Sequence, residues 1–236
     1  MKYLFLFIYI FYINAALSQS SKDSGVIYYG HKIGAIAIDT ANIDNDRVKN
    51  IITKQFLQKK KALSQDRDVY KLLFKDQKSM FLPVKKMQSD ANRTSFKFIP
   101  DDKFFIDKSK GLSLRRTNFS GNYYNIKDNE TLTWEITSEN KLINDILCTK
   151  AITTIKNSHG VKTLVTAWFS KEIPLNFGPL GYYGLPGLIV QLQLRDDIYY
   201  LRKIKYTDVE INQFVSGINI SNEKFQRKIK RHIKKF

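Results

Sequence analysis

Few side chains in this sequence are spaced for catalysis. The three histidines, His31, His159 and His232, fall in a glycine-rich strand pattern, a turn and a basic tail. A zinc site needs several protein ligands, and His31 has no second ligand at a suitable spacing, so we expect it to be structural. The chain also lacks a nucleophile elbow, a phosphate loop and an HExxH motif. The sequence therefore predicts no catalytic residue, no metal site and no cofactor.

Two further groups invite a chemical interpretation. Cys148 is the only cysteine, so it cannot form a disulfide within the chain. Its apolar strand neighbours favour a small buried side chain over a reactive thiol. Asp101 and Asp102 are adjacent carboxylates, but neighbours in a strand point to opposite faces and Pro-Asp-Asp is typical of turns. We expect a turn there and not an acid–base pair.

Aromatic side chains are the remaining candidates for a ligand pocket. They comprise Trp134, Trp168 and the tyrosine pairs 28/29, 123/124, 182/183 and 199/200. Strands favour aromatic residues on half-buried faces, so packing is the expected role of most of them. Tyr182 and Tyr183 lie among glycines and keep a binding interpretation open.

The most ordered pattern in the chain lies at residues 167–194, AWFSKEIPLNFGPLGYYGLPGLIVQLQL. Pro186 presets its φ for a tight turn and Gly187 accepts a positive φ, so residues 185–188 are predicted to form a type II turn. A strand should follow, because apolar side chains then alternate on one face, at Leu188, Val190, Leu192 and Leu194.

Glycines recur in this stretch at Gly178, Gly181, Gly184 and Gly187. One interpretation is a loop whose bare backbone lets a ligand or partner approach closely. The other is a stiff loop in which glycine permits unusual φ values, and we favour this second interpretation. Residues 184–189 would then act first as a structural clamp that sets the register of the following strand.

The hexamer at residues 184–189 resembles the signature of the GLPGLI family, secreted or envelope proteins found chiefly in Bacteroidetes. Family members usually carry Gly-Tyr where this chain has Asp145 and Ile146, so the local register should differ here if that glycine marks a bulge. No activity is established for the family, so the resemblance implies a structural or partner-binding role and no catalytic role. The motif residues are Trp134, Cys148, Trp168, Gly178, Pro179, Gly184, Leu185, Pro186, Gly187, Leu188 and Ile189.

The first residues predict export. Residues 1–18, MKYLFLFIYIFYINAALS, combine one lysine, an apolar run and small residues at a plausible cleavage site. We therefore expect a signal peptide at 1–18, a β domain at 19–221 and a basic amphipathic tail at 222–236. The mature protein should reside in the periplasm, in the cell envelope or outside the cell.

A formal net charge of +17 favours contact with anionic surfaces through attraction that salt weakens. The alternative is compositional bias in a chain rich in Lys, Asn and Ile. We expect no specific recognition of nucleic acid.

The remaining patterns predict a mainly β (α+β) fold, a curved antiparallel sheet or half-barrel meander. Strands are expected at 25–38, in a hairpin of 68–74 with 79–84, and at 198–206, which pairs with the strand from Leu188. A three-strand meander should follow residue 130, with turns at 138–140 and 157–160.

Two amphipathic helices complete the predicted fold. The early helix at 46–63 has N-cap candidates at 42–46 and should cover one side of the sheet. The basic C-terminal helix carries an apolar stripe that includes Phe225 and Ile229. That stripe suits either docking on the sheet or contact with an anionic membrane, and we favour docking or fraying.

Three functions stay open from the sequence. The preferred one is a non-enzymatic binding, carrier or adaptor module for an envelope protein or an apolar ligand. The second is an envelope hydrolase that uses carboxylates not identifiable from spacing. The third is binding of acidic glycan or nucleic acid by the basic surface.

Overall fold

The alternating segments of the sequence join in one sheet. The computed structural model describes residues 23–34, 44–64, 67–84, 98–128, 132–156 and 160–233. The strands within these ranges are β1 (Ser24–Ile33), β2 (Tyr70–Lys75), β3 (Lys78–Pro83), β4 (Lys103–Asp107), β5 (Leu112–Phe119), β6 (Asn122–Asp128), β7 (Glu135–Ile143), β8 (Ile146–Lys156), β9 (Lys162–Ser170), β10 (Leu188–Leu194), β11 (Asp197–Tyr206) and β12 (Ile218–Ser221). Two helices accompany them, α1 (Asp46–Leu63) and α2 (Asn222–Ile233).

The sheet runs in the order β12-β6-β5-β4-β3-β2-β1-β11-β10-β9-β8-β7. Its centre is the antiparallel pairing of β1 with β11, which joins the start of the domain to a strand far along the chain. Only the β12–β6 pair within the described residues is parallel, so the sheet is mixed. The prediction of a mainly β fold is confirmed, and the antiparallel pattern holds for the other strand pairs.

The two arms of the sheet curl toward one another. Phe104 on β4 and Ile155 on β8 lie far apart in the strand order, yet both line one hollow. A flat sheet would keep two such strands well apart, so the shared hollow requires curvature. One core cluster of apolar side chains extends from Ile106 on β4 to Cys148 on β8. Each central strand has one apolar face, and its β-branched, aromatic and leucine side chains form this core. Its largest fully buried side chains include Tyr29, Tyr70 and Phe169.

The β7–β8 hairpin turns later than predicted. Residues 138–140, expected to form the turn, lie inside β7, where the register shifts between Ile136 and Asn140. The turn is formed by Asn144 and Asp145, whose φ values are 50° and 62°. Asn and Asp tolerate this left-handed geometry, which two-residue hairpin turns use. Asp145 therefore occupies a turn position of positive φ and not a bulge.

Other predicted segments have mixed outcomes. The hairpin of β2 with β3 is confirmed, and a further hairpin, β5 with β6, forms within residues 112–128. Phe98 and Ile99, which end a short aromatic run, lie in a turn and a bend and not in a strand. Of the predicted segments, residues 1–22, 35–38, 42–43, 157–159 and 234–236 lie outside the described residues.

Helix α1 forms as predicted but packs differently. The Asn45 side chain accepts hydrogen bonds from the backbone N–H groups of Arg47 (3.0 Å) and Val48 (3.2 Å), a standard N-cap. The prediction that this helix covers one side of the sheet is wrong. Its buried residues are Ala62 and Leu63 at the C-terminal end, whereas Val48 and other apolar side chains of the first turns are exposed.

Helix α2 docks its apolar stripe on the sheet. Phe225 is only 3% exposed and packs against Phe119 on β5 and Tyr124 on β6, with ring centroids 5.7 and 5.3 Å away. Ile229 adds to the same small apolar cluster. The predicted docking is confirmed, because the side chains that would have entered a membrane already cover the β5–β6 hairpin.

Candidate functional site

The loop between β9 and β10 crosses the core face of the curled sheet. Its middle contains a short 3₁₀ turn at Pro179–Gly181, in which Leu180 and Gly181 take positive φ values of 55° and 75°. A Cβ added at Gly181 would lie 3.1 Å from the ring of Phe104 on β4. The loop thus starts and ends on one arm of the sheet and reaches the other arm.

The turn at the start of β10 differs from the prediction. The N–H of Gly187 donates to the carbonyl of Leu185 at 2.8 Å, which makes a three-residue γ-turn centred on Pro186. The N–H of Leu188, which would close a type II turn, donates instead to Ile173 at 2.9 Å. The type II turn is therefore wrong, because a loop partner distant in sequence takes the hydrogen bond that the local turn would use.

Two motif glycines are required for different reasons. Gly187 has a φ of 159°, which is essentially extended backbone. A Cβ there would lie 2.6 Å from the carbonyl carbon of Ser170 and closer still to its oxygen. Gly184 has open space around it but takes a φ of 95°, which side chains disfavour. Gly187 therefore supports the clamp interpretation through its close approach to the backbone of Ser170, and not through the positive-φ turn position that was predicted.

Strand β10 also departs from strict alternation. A bulge between Ile189 and Gln191 shifts its register against β9. As a result Leu188, Ile189 and Val190 are all buried, whereas the sequence placed Ile189 on the opposite face. The carbonyl of Ile189 accepts a hydrogen bond from the Tyr29 hydroxyl at 2.8 Å, which ties the motif strand to β1.

Trp134 holds the loop from the other side. Its indole Nε1–H donates to the carbonyl of Tyr183 at 2.9 Å, and its ring lies 6.0 Å from that of Tyr182. Asn176 adds a second tie, because its side-chain amide donates to the carbonyl of Leu185 at 2.9 Å. The structure therefore brings Trp134 and the glycine loop together, as their joint presence in the motif suggests.

Two motif residues lie away from this loop. Trp168 sits on the opposite face of β9 from the buried Ala167, under the ammonium of Lys141 at 4.0 Å. Cys148 is fully buried in the core, and burial raises the pKa of its thiol to about 11. Neither side chain is placed to contact a ligand held by the loop.

A cleft of about 280 Å³ opens between the loop and the two arms of the sheet. One wall belongs to β4, β5 and β6, the other to β8 and β10, and the N-terminal part of α2 closes one end. Apolar side chains dominate the lining, as in most small-ligand sites. The lining residues are Phe104, Ser113, Arg115, Ile126, Leu132, Ile155, Lys156, Leu180, Gly181, Tyr182, Tyr183, Leu194, Asn222 and Gln226.

The charged groups of the cleft are Arg115 and Lys156, and both are cations. The guanidinium of Arg115 lies 3.7 Å from the Asp102 carboxylate and 5.8 Å from the ring of Phe225, so it is held in place. Lys156 is exposed at the end of β8. The cleft therefore offers an apolar interior and a positive rim, an arrangement complementary to an amphiphile with an anionic head.

The sequence indicated only part of this lining. Tyr182 and Tyr183 were candidates because they lie beside the glycines. Arg115 and Lys156 were missed, because the sequence around a charged strand residue does not show which distant strand will lie opposite it. The turn expected at Asp101 and Asp102 lies slightly earlier, at residues 98 and 99, and the partner of Asp102 is a cation on β5 and not a second carboxylate.

A second polar cluster surrounds His31. Its Nε2 lies 2.7 Å from Oδ1 of Asp197, which also accepts from the Lys59 ammonium of α1 at 3.0 Å. The imidazole stacks on Tyr199 at 4.5 Å and is only 1% exposed. The imidazole is too deeply buried for a substrate to reach it. The ion pair of Lys59 with Asp197 joins α1 to β11, so the cluster has a structural role, as expected for His31.

Two carboxylates, the half-buried Asp197 and the buried Asp107, accept hydrogen bonds from neighbouring side chains. Burial raises the pKa of Asp197, but hydrogen bonds from His31 and Lys59 outweigh it and the net shift is downward. The Ser109 hydroxyl, 2.6 Å away, likewise lowers the pKa of Asp107. Both groups are thereby held as carboxylates, which suits structural ion pairs better than proton donation at neutral pH.

The described residues contain neither a metal-binding cluster nor a membrane-spanning helix. No three His, Cys, Asp or Glu side chains in these ranges gather closely enough to hold a metal ion. None of the helices in the described part of the chain is both long and apolar enough to cross a membrane.

Comparison with protein families finds a match over residues 156–191 to a family described as "Protein of unknown function (Porph_ging)". The matched segment contains β9, the glycine loop and the start of β10, so it coincides with the motif region. This match fits a Bacteroidetes family of unknown function. A comparison with curated proteins finds no match.

Among solved structures, the chain is similar to one described as "Structure of PNGF-II in C2 space group", with a TM-score of 0.51 and 13% sequence identity. The alignment covers 87% of this chain and 32% of that chain. The present chain thus spans about a third of the length of its structural relative. At this identity the likeness concerns the β-rich fold alone.

Proposed function

We propose that this chain is an exported, non-enzymatic binding module of the GLPGLI type, and that the cleft beneath its glycine loop takes an amphiphile with an anionic head. The observation that carries the proposal is the position of the motif loop. Leu180 and Tyr183 line the cleft directly, and Trp134 holds the loop there through Tyr183. The loop serves the fold through its close backbone approach at Gly187 and also forms part of the wall of a cavity, a position in which binding residues are often found.

The chemistry of the lining supports an amphiphile. Leu132, Ile155 and Leu194 offer apolar surface to a short acyl chain or a comparable group. Arg115 and Lys156 would meet a carboxylate or phosphate at the rim. The volume of about 280 Å³ lies near the lower end for small-molecule sites, which suits a single short chain better than a whole phospholipid.

An envelope hydrolase receives less support. A general acid in such an enzyme needs a carboxyl pKa raised toward the working pH. The pKa values of Asp107 and Asp197 are lowered instead, so neither carboxyl suits the role of that acid.

The test uses decanoate as the probe, with its binding measured by isothermal titration calorimetry. Lys156→Glu should weaken probe binding about tenfold, because it reverses one of two rim charges. The matched control is Lys162→Glu, since Lys162 pairs with Lys156 across β8 and β9 but does not line the cleft. Equal effects of the two variants, or no binding by the unmodified protein, would contradict the proposal.

Export is tested separately. N-terminal sequencing of the protein recovered from its native cell should begin near Gln19, because signal peptidase cuts after small residues such as those at 16 and 18. A mature chain that still begins at Met1 would contradict export without affecting the cleft.

A further inference from the structure

A second hollow of about 580 Å³ lies between α2 and the β5–β6 hairpin. It uses a different face of α2 from the cleft, because the helix residues that line the two hollows are not shared. The hairpin contributes its turn and the adjoining aromatic residues. The groove is lined by Phe119, Ser120, Asn122, Tyr124, Lys224, Arg227, Lys228, Arg231 and His232.

The groove is strongly positive. Lys224, Arg227, Lys228 and Arg231 all face it, and no carboxylate is among its lining residues. Glu223, outside the lining, lies 3.5 Å from Arg227, but both side chains are mostly exposed and such a pair is weak in water. Neighbouring cations repel one another, and a bound anion would relieve this electrostatic repulsion.

The cations are carried on a fixed support. Phe225 anchors α2 to the hairpin from its buried side. The ammonium of Lys228 lies 5.5 Å from the ring of Tyr124, within the range of a cation–π contact. Helix α2 therefore holds the backbone that carries these cations in place, which reduces the entropy lost when a ligand binds.

The neighbouring side chains narrow the class of ligand. Tyr124 is buried, and Phe119 already makes edge contacts with Phe225 and His232, so the groove offers little open aromatic surface on which bases could stack. The apolar stripe of α2 is docked, so membrane insertion through it is not available. Recognition would rest on the cations, and the planar guanidinium groups of Arg227 and Arg231 match phosphate oxygens in pairs.

We propose that the groove between α2 and the β5–β6 hairpin binds a ligand with two or more closely spaced phosphate groups. The ligand is either a soluble phosphorylated saccharide or cyclitol or the phosphate head groups of a lipid surface. This site is separate from the cleft and does not depend on the function proposed for it. Phosphate clusters suit it because several cations converge on a concave surface, where the local field is strongest.

The experiment measures binding of inositol hexakisphosphate to the mature chain, with vesicles of phosphatidylglycerol and of phosphatidylcholine as the lipid arms. Arg227→Gln combined with Arg231→Gln should weaken phosphate binding by about tenfold or more, since charge-assisted hydrogen bonds are lost. The matched control is Lys54→Gln with Lys60→Gln, which removes two exposed charges from α1. Thermal melting checks that both double variants remain folded.

Comparison of the soluble probe with the vesicles identifies the source of the phosphate groups. Binding of inositol hexakisphosphate that depends on the α2 arginines supports a soluble ligand, and arginine-dependent binding of phosphatidylglycerol vesicles alone supports a lipid surface. Equal losses in both double variants would overturn the proposal in favour of diffuse charge. Absence of binding in every arm, or tighter arginine-dependent binding of oligothymidylate than of either phosphate probe, would also overturn it.

Discussion

At the scale of single residues, the motif loop depends on one very close backbone approach. Gly187 meets the carbonyl of Ser170 across the start of β10, where a side chain has no room. Gly184, three residues earlier, needs glycine for its φ and not for space. The two glycines of one hexamer are thus required for different physical reasons, and substitutions at the two positions can distinguish these reasons.

We predict that Gly187→Ala destabilises the protein more than Gly184→Ala. The Cβ at 187 must displace backbone of β9, at a cost of about 3 kcal/mol, since overpacking a rigid site forces main-chain shifts. The Cβ at 184 meets nothing and costs about 1 kcal/mol for its left-handed backbone. Urea unfolding of both variants measures the difference. The reverse order, or equal losses, would contradict the contact described here.

A second prediction concerns two buried tyrosines. The Tyr29 hydroxyl donates to Ile189, whereas the Tyr70 hydroxyl has no hydrogen-bond partner among the described residues. Tyr29→Phe should therefore cost about 1–2 kcal/mol, because a hydrogen bond to the motif strand is lost. Tyr70→Phe should leave stability within about 0.5 kcal/mol or raise it, since it removes an unsatisfied polar group. Chemical denaturation of the pair provides the test, and a larger loss at Tyr70 would refute it.

At the scale of elements, α1 is fastened to the sheet at its C-terminal end. Leu63 is buried there, and Lys59 reaches Asp197 on β11, which in turn holds His31. The N-terminal half of the helix makes no comparable contact among the described residues, and Ile51 is 48% exposed. The ion pair is therefore expected to matter more than a surface pair, because Asp197 shares it with a buried imidazole.

We predict that this link weakens in acid. The folded pKa of Asp197 lies below its unfolded value, near 3.9, so its stabilising contribution is complete above that value and is lost as the pH falls through the folded pKa. The melting temperature of the unmodified protein should fall more steeply from pH 5 to about pH 3 than that of Asp197→Asn. Asp44→Asn, at an exposed position before α1, is the control and should follow the unmodified protein. Parallel curves for all three would rule out a role for Asp197.

At the scale of the whole molecule, curvature places two distant arms of one sheet around the cleft. Strands β4 to β6 form one wall and β8 with β10 the other, although they are separated in the strand order by the central strands. The glycine loop connects the walls by touching Phe104. A ligand in the cleft would therefore contact both arms at once and oppose their separation.

We predict that a cleft ligand stabilises both arms together. At about 100 times its dissociation constant, the probe should raise the free energy of unfolding by about 2.7 kcal/mol, as mass action requires. Hydrogen exchange should slow in β4 to β6 and in β8 to β10, while α1, which does not line the cleft, should be unaffected. Protection confined to one arm would place the probe on an outer surface instead.

The sequence by itself determined most of the strands, both helices and the docking stripe of α2. These features rest on local periodicity and on caps such as Asn45, which a short window contains in full. The motif hexamer also identified the loop that lines the cleft. Its exact turn was misjudged, because the N–H of Leu188 finds Ile173 in the loop rather than the carbonyl three residues before it.

Only the tertiary structure decided which residues meet. The pairing of β1 with β11 and the curl of the sheet bring Arg115, Lys156 and the loop to one cleft, and no local pattern encodes that meeting. The same holds for α1, whose apolar face suggested a covered helix although most of it stays exposed. Periodicity states which face of an element is apolar, whereas contacts between distant segments decide what, if anything, that face meets.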